Sequence, residues 1–410
     1  MDSISRNLLP VNPYAGSLYD PCILQSRKSS PHTGLLLCRR RYDQVAQIQY
    51  RFRCQGAGEL DRLAIHTEKF GKRAFAVIDE FFYKSFTKRL DTLYKDAGGA
   101  FLSFLYQTEI TKELIEKASD EASGFSPDVI IGIGGGKALD TGKAVASRLS
   151  LPLVIIPTSA STDAPTSAMS IIYNDAHEHD DVYYYIKNPD LVLVDSQIIA
   201  DAPVRFLVSG MGDALATVFE GRTSIRTNQP NYICGESGSY MRTRTAAAIA
   251  EECYRTICEF GVRAKIANEL HVVTDALDAV IEANTLMSGL GFENVGCAAS
   301  HVVCNGITAV PGGDKALHGE KVAFGVICQL LAENEDMKLI EEVIRFNLSV
   351  GLPVTLDDMG IAPTEENFDI ISANPQETEW TREPFYMDAV KVKAVVKTAH
   401  ELGKRYKKGL

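Results

Sequence analysis

Residues 128–145, DVIIGIGGGKALDTGKAV, constrain the fold more than any other stretch of the chain. Val129, Ile130 and Ile131 form a short β-branched run, which reads as a buried strand when glycine bounds it. The run ends in Gly132, Gly134, Gly135 and Gly136, and Lys137 through Ser147 then has helical spacing with small residues toward the sheet. A strand, a glycine turn and a helix start leave backbone N–H groups unpaired at a helix N-terminus. The helix dipole adds positive potential there, so the geometry suits phosphate. Both common glycine-loop patterns fail: position 137 is Lys where G-x-G-x-x-G needs its third glycine, and P-loop spacing is absent. On the residues alone, the loop is open between a pyrophosphate site and a plain tight turn.

A chain of 410 residues has room for about two domains with large cores. The net charge of −11 argues against a general nucleic-acid-binding surface. No apolar run is long enough for a transmembrane helix, so no membrane partner is expected. Nine cysteines without a C-x-x-C pair fit a reducing compartment better than a disulfide framework. Residues 1–43 stand apart: Arg6, Arg27, Lys28, Arg39, Arg40 and Arg41 face only Asp2 and Asp20 before Tyr42. That segment reads as a leader or tail. The chain is expected in the cytoplasm, with mitochondrial targeting by the leader as the alternative.

From residue 44 to 200 the pattern is α/β. Strands are expected at Tyr50–Gly58, Ala74–Ile78, the organising run, Leu153–Ile156 and Leu191–Asp195, with helices at Glu59–Phe70, Phe81–Tyr94 and Thr111–Ser123. This alternation implies a mainly parallel sheet with covered faces. Asp79 falls at a strand's carboxyl end, where open α/β sheets bind ligands; a ribose contact and a helix cap are both open to it. The hydroxyl-rich loop Pro157–Ser167 follows a strand and reads as either a polar ligand wall or a turn-rich connection. Ser170–Tyr173 and Asp181–Ile186 form an expected hairpin. Its charged loop carries His177 and His179, read as solvated rather than as a metal site.

Residues 201–410 read as an all-helical domain, with helices at Val204–Glu220, Arg242–Phe260, Val273–Gly291, Ala298–Ile307, Glu320–Glu333, Met337–Val350 and Met387–Tyr406. Asp213, His301 and His318 stand out there as polar residues among small or apolar neighbours. One carboxylate and two imidazoles suit Zn²⁺ and leave a position open, although a lone histidine on an apolar helix is usually a satisfied core residue.

The chain resembles the glycerol dehydrogenases of the iron-containing, or group III, alcohol dehydrogenase superfamily, from about Cys54 to Tyr406. The resemblance rests on Gln55-Gly56-Ala57-Gly58, the run from Gly134 to Lys143, Ser161 to Ser167, Gly212 to Thr217 and His318 to Gly325. It implies a Rossmann-like N-terminal domain and a helical C-terminal domain, in a dehydroquinate synthase-like architecture, assembled as a homo-oligomer such as an octamer. It implies that Gly134, Gly135, Gly136, Lys137 and Asp140 bind the NAD pyrophosphate and that Asp79 holds the adenosine ribose. Thr158, Ser159, Ser161, Ser167, Met169 and Tyr173 would line the cofactor, and Asp163 would approach a polyol substrate. Asp213, His301 and His318 would hold a catalytic Zn²⁺. The iron-dependent members resemble one another in an Asp-x-x-x-His pair, whereas this chain has Thr217 at that fourth position, which favours the three-ligand zinc branch. The general acid/base stays open between Asp163 and a relay through water.

Glycerol-1-phosphate dehydrogenase and a 3-dehydroquinate synthase-like enzyme are rivals on the same scaffold. Both need anion-binding basic residues in the substrate pocket, and no Lys or Arg lies between Asp163 and Ile186. A non-enzymatic scaffold predicts eroded ligands, whereas all three are present.

Overall fold

Six strands of a seven-stranded sheet run parallel, in the order β1-β2-β9-β6-β5-β3-β4. They are β2 (Arg53–Gly56), β3 (Arg73–Asp79), β4 (Ala100–Tyr106), β5 (Val129–Gly134), β6 (Leu153–Pro157) and β9 (Leu191–Asp195). β1 (Ala46–Ile48) adds to β2 as an antiparallel edge. β7 (Met169–Tyr173) and β8 (His179–Tyr184) form a separate antiparallel pair. The computed structural model describes residues 46–48, 53–174, 179–232 and 240–409. The leader and His177 lie outside the described residues, and His179 begins β8.

Residues of alternate parity feed two cores, as a pleated strand requires. Phe75, Val77, Ile130, Ile155, Val192 and Val194 pack in one cluster; Ala76, Ile78, Ile131, Ile133, Val154 and Leu193 pack in another. The first cluster also contains Leu207, Met211, Leu277, Val280 and Ala323, so the helices after the sheet share a core with it. A third cluster lies wholly among those helices and includes Ala214, Ala299, Val303, Phe324 and Ile344.

Helices α1 (Leu63–Thr67), α2 (Glu80–Asp96), α3 (Lys112–Phe125), α4 (Gly136–Leu149) and α5 (Ser196–Asp201) accompany the sheet. The later helices are α6 (Val204–Thr227), α7 (Arg244–Glu269), α8 (Asp275–Glu282), α9 (Ser288–Val295), α10 (Ala299–Thr308), α11 (His318–Ala332), α12 (Met337–Val350), α13 (Glu365–Ile371) and α14 (Ala389–Lys407). Among the described residues no helix is long and apolar enough to cross a membrane.

Three local expectations change. Ala100–Tyr106, AFLSFLY, is a strand that sequence reading passed over; it contains no β-branched residue and lies at the sheet edge. Glu59–Phe70 is not one helix but α1 between two short 3₁₀ turns. The expected helix Val273–Gly291 is divided by a π-helical turn, Ala283–Met287, into α8 and α9.

The strand order reverses beside β5. The chain leaves β3 for β4 on one side, then returns to β5 and proceeds to β6 on the other. Open α/β sheets bind ligands at such a reversal, outside the carboxyl ends of the strands. Asp79 ends β3 and Gly134 ends β5 at that point.

Candidate metal and cofactor site

Asp213, His301 and His318 come from three helices. Asp213 lies in α6, His301 in the first turn of α10, and His318 opens α11. Their convergence depends on backbone contact between helices. A Cβ on Gly212 would sit 2.2 Å from the Gly319 carbonyl oxygen, and one on Gly319 would sit 1.8 Å from that of Ser209. Only glycine allows this approach, and it brings the residues that follow and precede these positions, Asp213 and His318, together.

One ligand atom from each of the three residues lies within 4.8 Å of the others. His318 Nε2 is 3.2 Å and His301 Nε2 is 3.5 Å from Asp213 Oδ1. That oxygen is buried and has no hydrogen-bond partner. An orphaned carboxylate oxygen between two imidazole nitrogens is costly unless a cation is shared among them. The donor set therefore fits a divalent cation of the zinc type. Side-chain exposure rises from 1% at Asp213 to 20% at His301 and 42% at His318, so the cluster opens on one side. Burial opposes charge on all three groups, but their neighbours outweigh it. His318 and His301 hold the Asp213 carboxyl far below the usual range, while Cys304 and Asp213 push His318 up to about 10.

Glu220 is a member of this site that sequence reading missed. It is fully buried, and its Oε1 accepts hydrogen bonds from the backbone N–H groups of Ala298 and His301. Its Oε2 lies 2.7 Å from His301 Nδ1. The Glu220 carboxylate thus holds the proton on Nδ1, which leaves Nε2 as the atom His301 would offer a cation in the cluster. A signal was present in the sequence: Asp213, Thr217 and Glu220 recur at i, i+4 and i+7, on one helix face. On the other imidazole, His318 Nδ1 lies 3.5 Å from Cys304 Sγ.

These contacts make Glu220→Gln informative. The amide oxygen can still accept from the two backbone N–H groups, but the amide nitrogen then faces His301 Nδ1. Two donors cannot pair, so the imidazole shifts its proton to Nε2 and loses the lone pair it aims at the cluster. We expect metal affinity to fall by about 10- to 100-fold while the fold is kept. Chelator competition followed by circular dichroism checks both; unchanged affinity would refute the tautomer argument.

Asp163 lies next to the cluster. Its backbone N–H donates to Asp213 Oδ2 at 3.2 Å, and its own Oδ2 accepts from Ser288 Oγ at 2.9 Å. Burial, then the nearby Asp213 charge, raises its pKa to about 7.

The glycine loop has the expected form. α4 begins at Gly136 after Gly135, and the first helical acceptor bond is Leu139 N–H to the Gly135 carbonyl. The N–H groups of Gly136, Lys137 and Ala138 thus have no acceptor within the helix. Gly134 has φ 144°, and a Cβ there would meet the Asp79 Cβ at 2.6 Å, so its glycine is required twice over. Asp79 is a helix cap, its Oδ1 accepting from Phe81 N–H, and the residue lies against the loop. Above Gly136 come Thr162 and Ala164. Thr158 is buried; Ser159 and Ser161 are partly exposed with hydroxyls 3.2 Å apart. The Lys137 ammonium pairs with Glu109 and lies 4.7 Å over the Tyr173 ring. Met169 and Tyr173 are the ends of β7.

Two assigned residues are turned to other work. Asp140 accepts from Lys143 Nζ through Oδ1 and from Ile171 N–H through Oδ2, so its carboxylate secures β7 rather than meeting a pyrophosphate, which it would repel. The Ser167 hydroxyl is buried between Lys143 Nζ and the Ala164 carbonyl. Lys143, fully buried, also donates to the carbonyls of Ala164 and Met169. It locks the hydroxyl-rich loop to α4, a role no sequence signal suggested.

Residues 52–196 match the model of the iron-containing alcohol dehydrogenase family. The chain is 46% identical over 315 residues to a glycerol dehydrogenase of Thermotoga maritima, covering 75% of this chain and 82% of that one. It is 41% identical over 354 residues to a glycolaldehyde reductase of Halobacterium salinarum, covering 86% and 96%. Among solved structures, a glycerol dehydrogenase of Schizosaccharomyces pombe superposes with a TM-score of 0.77 at 30% identity, covering 87% and 90%. These likenesses show that the chain belongs to the iron-containing alcohol dehydrogenase family.

Proposed function

We propose that this chain is a glycerol dehydrogenase: it oxidises a vicinal diol, glycerol above all, by hydride transfer to NAD at Asp213, His301 and His318. The convergence of these three residues beside Asp163 carries the reading. A 1,2-diol and NAD⁺ give an α-hydroxyketone, NADH and a proton; glycerol gives dihydroxyacetone. Asp213, His301 and His318 would hold the Zn²⁺, which would supply Lewis-acid polarisation of a substrate hydroxyl. Asp163 accepts a hydrogen bond from the neighbouring hydroxyl and so fixes which carbon faces the nicotinamide. The glycine loop takes the pyrophosphate on its N–H groups, and Asp79 takes the ribose. A 2′-phosphate would face the Asp79 carboxylate, with repulsion of roughly 4 kcal/mol at ~4 Å and an effective dielectric of ~20, which favours NAD over NADP. Residues 44–200 would then form the cofactor domain and 201–410 the metal domain.

The relatives support a shared substrate class. Glycolaldehyde and dihydroxyacetone each carry a hydroxyl beside a carbonyl, and each becomes a vicinal diol on reduction. No Lys or Arg lies between Asp163 and Ile186, and Lys143, a buried cation beside the loop, is committed to the loop itself, which disfavours a phosphorylated substrate. All six described cysteines are free, in keeping with a cytoplasmic enzyme, which we read as a homo-oligomer.

The test is kcat/KM for glycerol, 1,2-propanediol, 1-propanol and glycerol 1-phosphate, with NAD⁺ and NADP⁺. A site built for a second hydroxyl leaves polar groups unpaired without it, a loss that reaches about 10⁴-fold in such sites. We expect the two diols to lead with NAD⁺. Equal values for 1-propanol and 1,2-propanediol would remove the diol reading, and preference for the phosphate would move the chain to a rival branch.

A further inference from the structure

We propose that Ser288 and Thr217 are positioning residues that hold Asp163 where it receives the second hydroxyl of the substrate, an inference that rests on the diol reading above. Ser288 Oγ lies 2.9 Å from Asp163 Oδ2, and Thr217 Oγ1 lies 3.2 Å from Ser288 Oγ. Ser288 is fully buried and Thr217 all but so. The three side chains come from α9, α6 and the hydroxyl-rich loop, 71 and 125 residues apart along the chain.

The order of the chain follows from chemistry. The Ser288 O–H donates to Asp163 Oδ2. The Ser288 oxygen then accepts from the Thr217 O–H. Both protons point the same way, toward a single carboxylate oxygen, while Oδ1 takes no part in the chain. The Asp163 backbone N–H donates to Asp213 Oδ2, which ties the same residue to the metal cluster. Asp163 is therefore held at both its backbone and its side chain.

The backbone around Ser288 is built for this approach. Ser288 follows directly on the π-helical turn Ala283–Met287, and such turns re-aim the residues after them. A Cβ on Gly289 would meet the Asp163 carbonyl oxygen at 2.8 Å, and one on Gly291 would meet Thr217 Cγ2 at 2.4 Å. Small residues beside Ser288 thus allow α9 to touch both of its partners. Two buried hydroxyls that served only packing would be better replaced by apolar groups.

Ser288→Ala removes a hydrogen bond to a charged acceptor, worth a factor of about 10 to 100. We expect that loss in kcat/KM for 1,2-propanediol, mostly in KM, and little change for 1-propanol, which has no second hydroxyl to hold. Thr217→Val should lower the diol value by roughly threefold, and Thr217→Ser, which keeps the hydroxyl, should restore it. Titration calorimetry on the zinc- and NADH-loaded protein, in which the reduced cofactor cannot accept hydride from a diol, reads the same contrast in diol affinity without turnover, and metal content is measured on every variant. Equal losses on both alcohols, loss of metal in Ser288→Ala, or a Thr217→Ser variant no better than Thr217→Val would overturn the positioning role. If the unmodified chain itself fails to prefer 1,2-propanediol, the diol reading falls. If the unmodified chain prefers it and Ser288→Ala keeps that preference, the diol reading stands and only the Ser288–Thr217 assignment falls.

Discussion

Replacing His318 with alanine should empty the metal site and lower kcat by about 10³-fold or more, with the fold intact. The argument is one of ligand count and exposure. Asp213 Oδ1 has two nitrogen neighbours, at 3.2 and 3.5 Å, and His318 supplies the closer one. Two protein ligands do not hold a catalytic zinc, which needs three and an open position. His318 is also the outermost of the three, 42% exposed, so its truncation leaves a recess open to solvent rather than a closed cavity. Its effect on the metal-free protein should therefore stay within about 1 kcal/mol. The same recess admits free imidazole, which should restore part of the metal content and activity to His318→Ala and less of either to the deeper His301→Ala. Metal analysis and turnover with and without imidazole check this. A metal-loaded His318→Ala variant with kcat within tenfold of the parent would show that His318 is not a ligand.

The chain advertises its sheet more openly than its site. Val129–Ile131, Leu153–Ile156 and Leu191–Asp195 are apolar runs bounded by turn residues, and buried parallel strands have to read that way. Ala100–Tyr106 escaped because it earns its place by edge pairing with β3 rather than by β-branched composition. The three residues of the candidate metal cluster were legible as residue types in small-residue surroundings, the family resemblance singled them out, and the fold brings them together. Ser288 and the loop contacts of Lys143 were not legible, and Glu220 showed only as a carboxylate on the Asp213 face of its helix, since their partners lie elsewhere along the chain. Glu220 meets His301 81 residues away, and Ser288 meets Asp163 125 residues away. Asp140 and Ser167 err in the opposite sense. They lie in the cofactor motifs, yet a buried Lys143 between them draws both hydrogen-bonding groups inward. A motif specifies which residues lie near a ligand; packing decides which of their atoms are left to touch it.

Gly319→Ala should disable the same metal site without altering any ligand. The added methyl would stand 1.8 Å from the Ser209 carbonyl oxygen and 2.9 Å from the Asp213 backbone nitrogen. Neither is a side-chain end that can rotate away, so α6 and α11 must separate. Overpacking of this kind costs about 3 kcal/mol, and the separation carries His318 away from Asp213. The natural control is Gly124→Ala near the end of α3, where the new methyl meets nothing within 4 Å. There the substitution should be neutral or stabilising by up to about 1 kcal/mol, because alanine favours helix over glycine. Denaturation measured with and without added Zn²⁺ distinguishes a general loss of stability from loss of the site. In the parent and in Gly124→Ala, zinc should raise the midpoint; in Gly319→Ala the midpoint should be lower and the zinc-dependent rise should vanish. A Gly319→Ala protein that kept the full zinc response would mean that the backbone contact between α6 and α11 does not set the distance between Asp213 and His318.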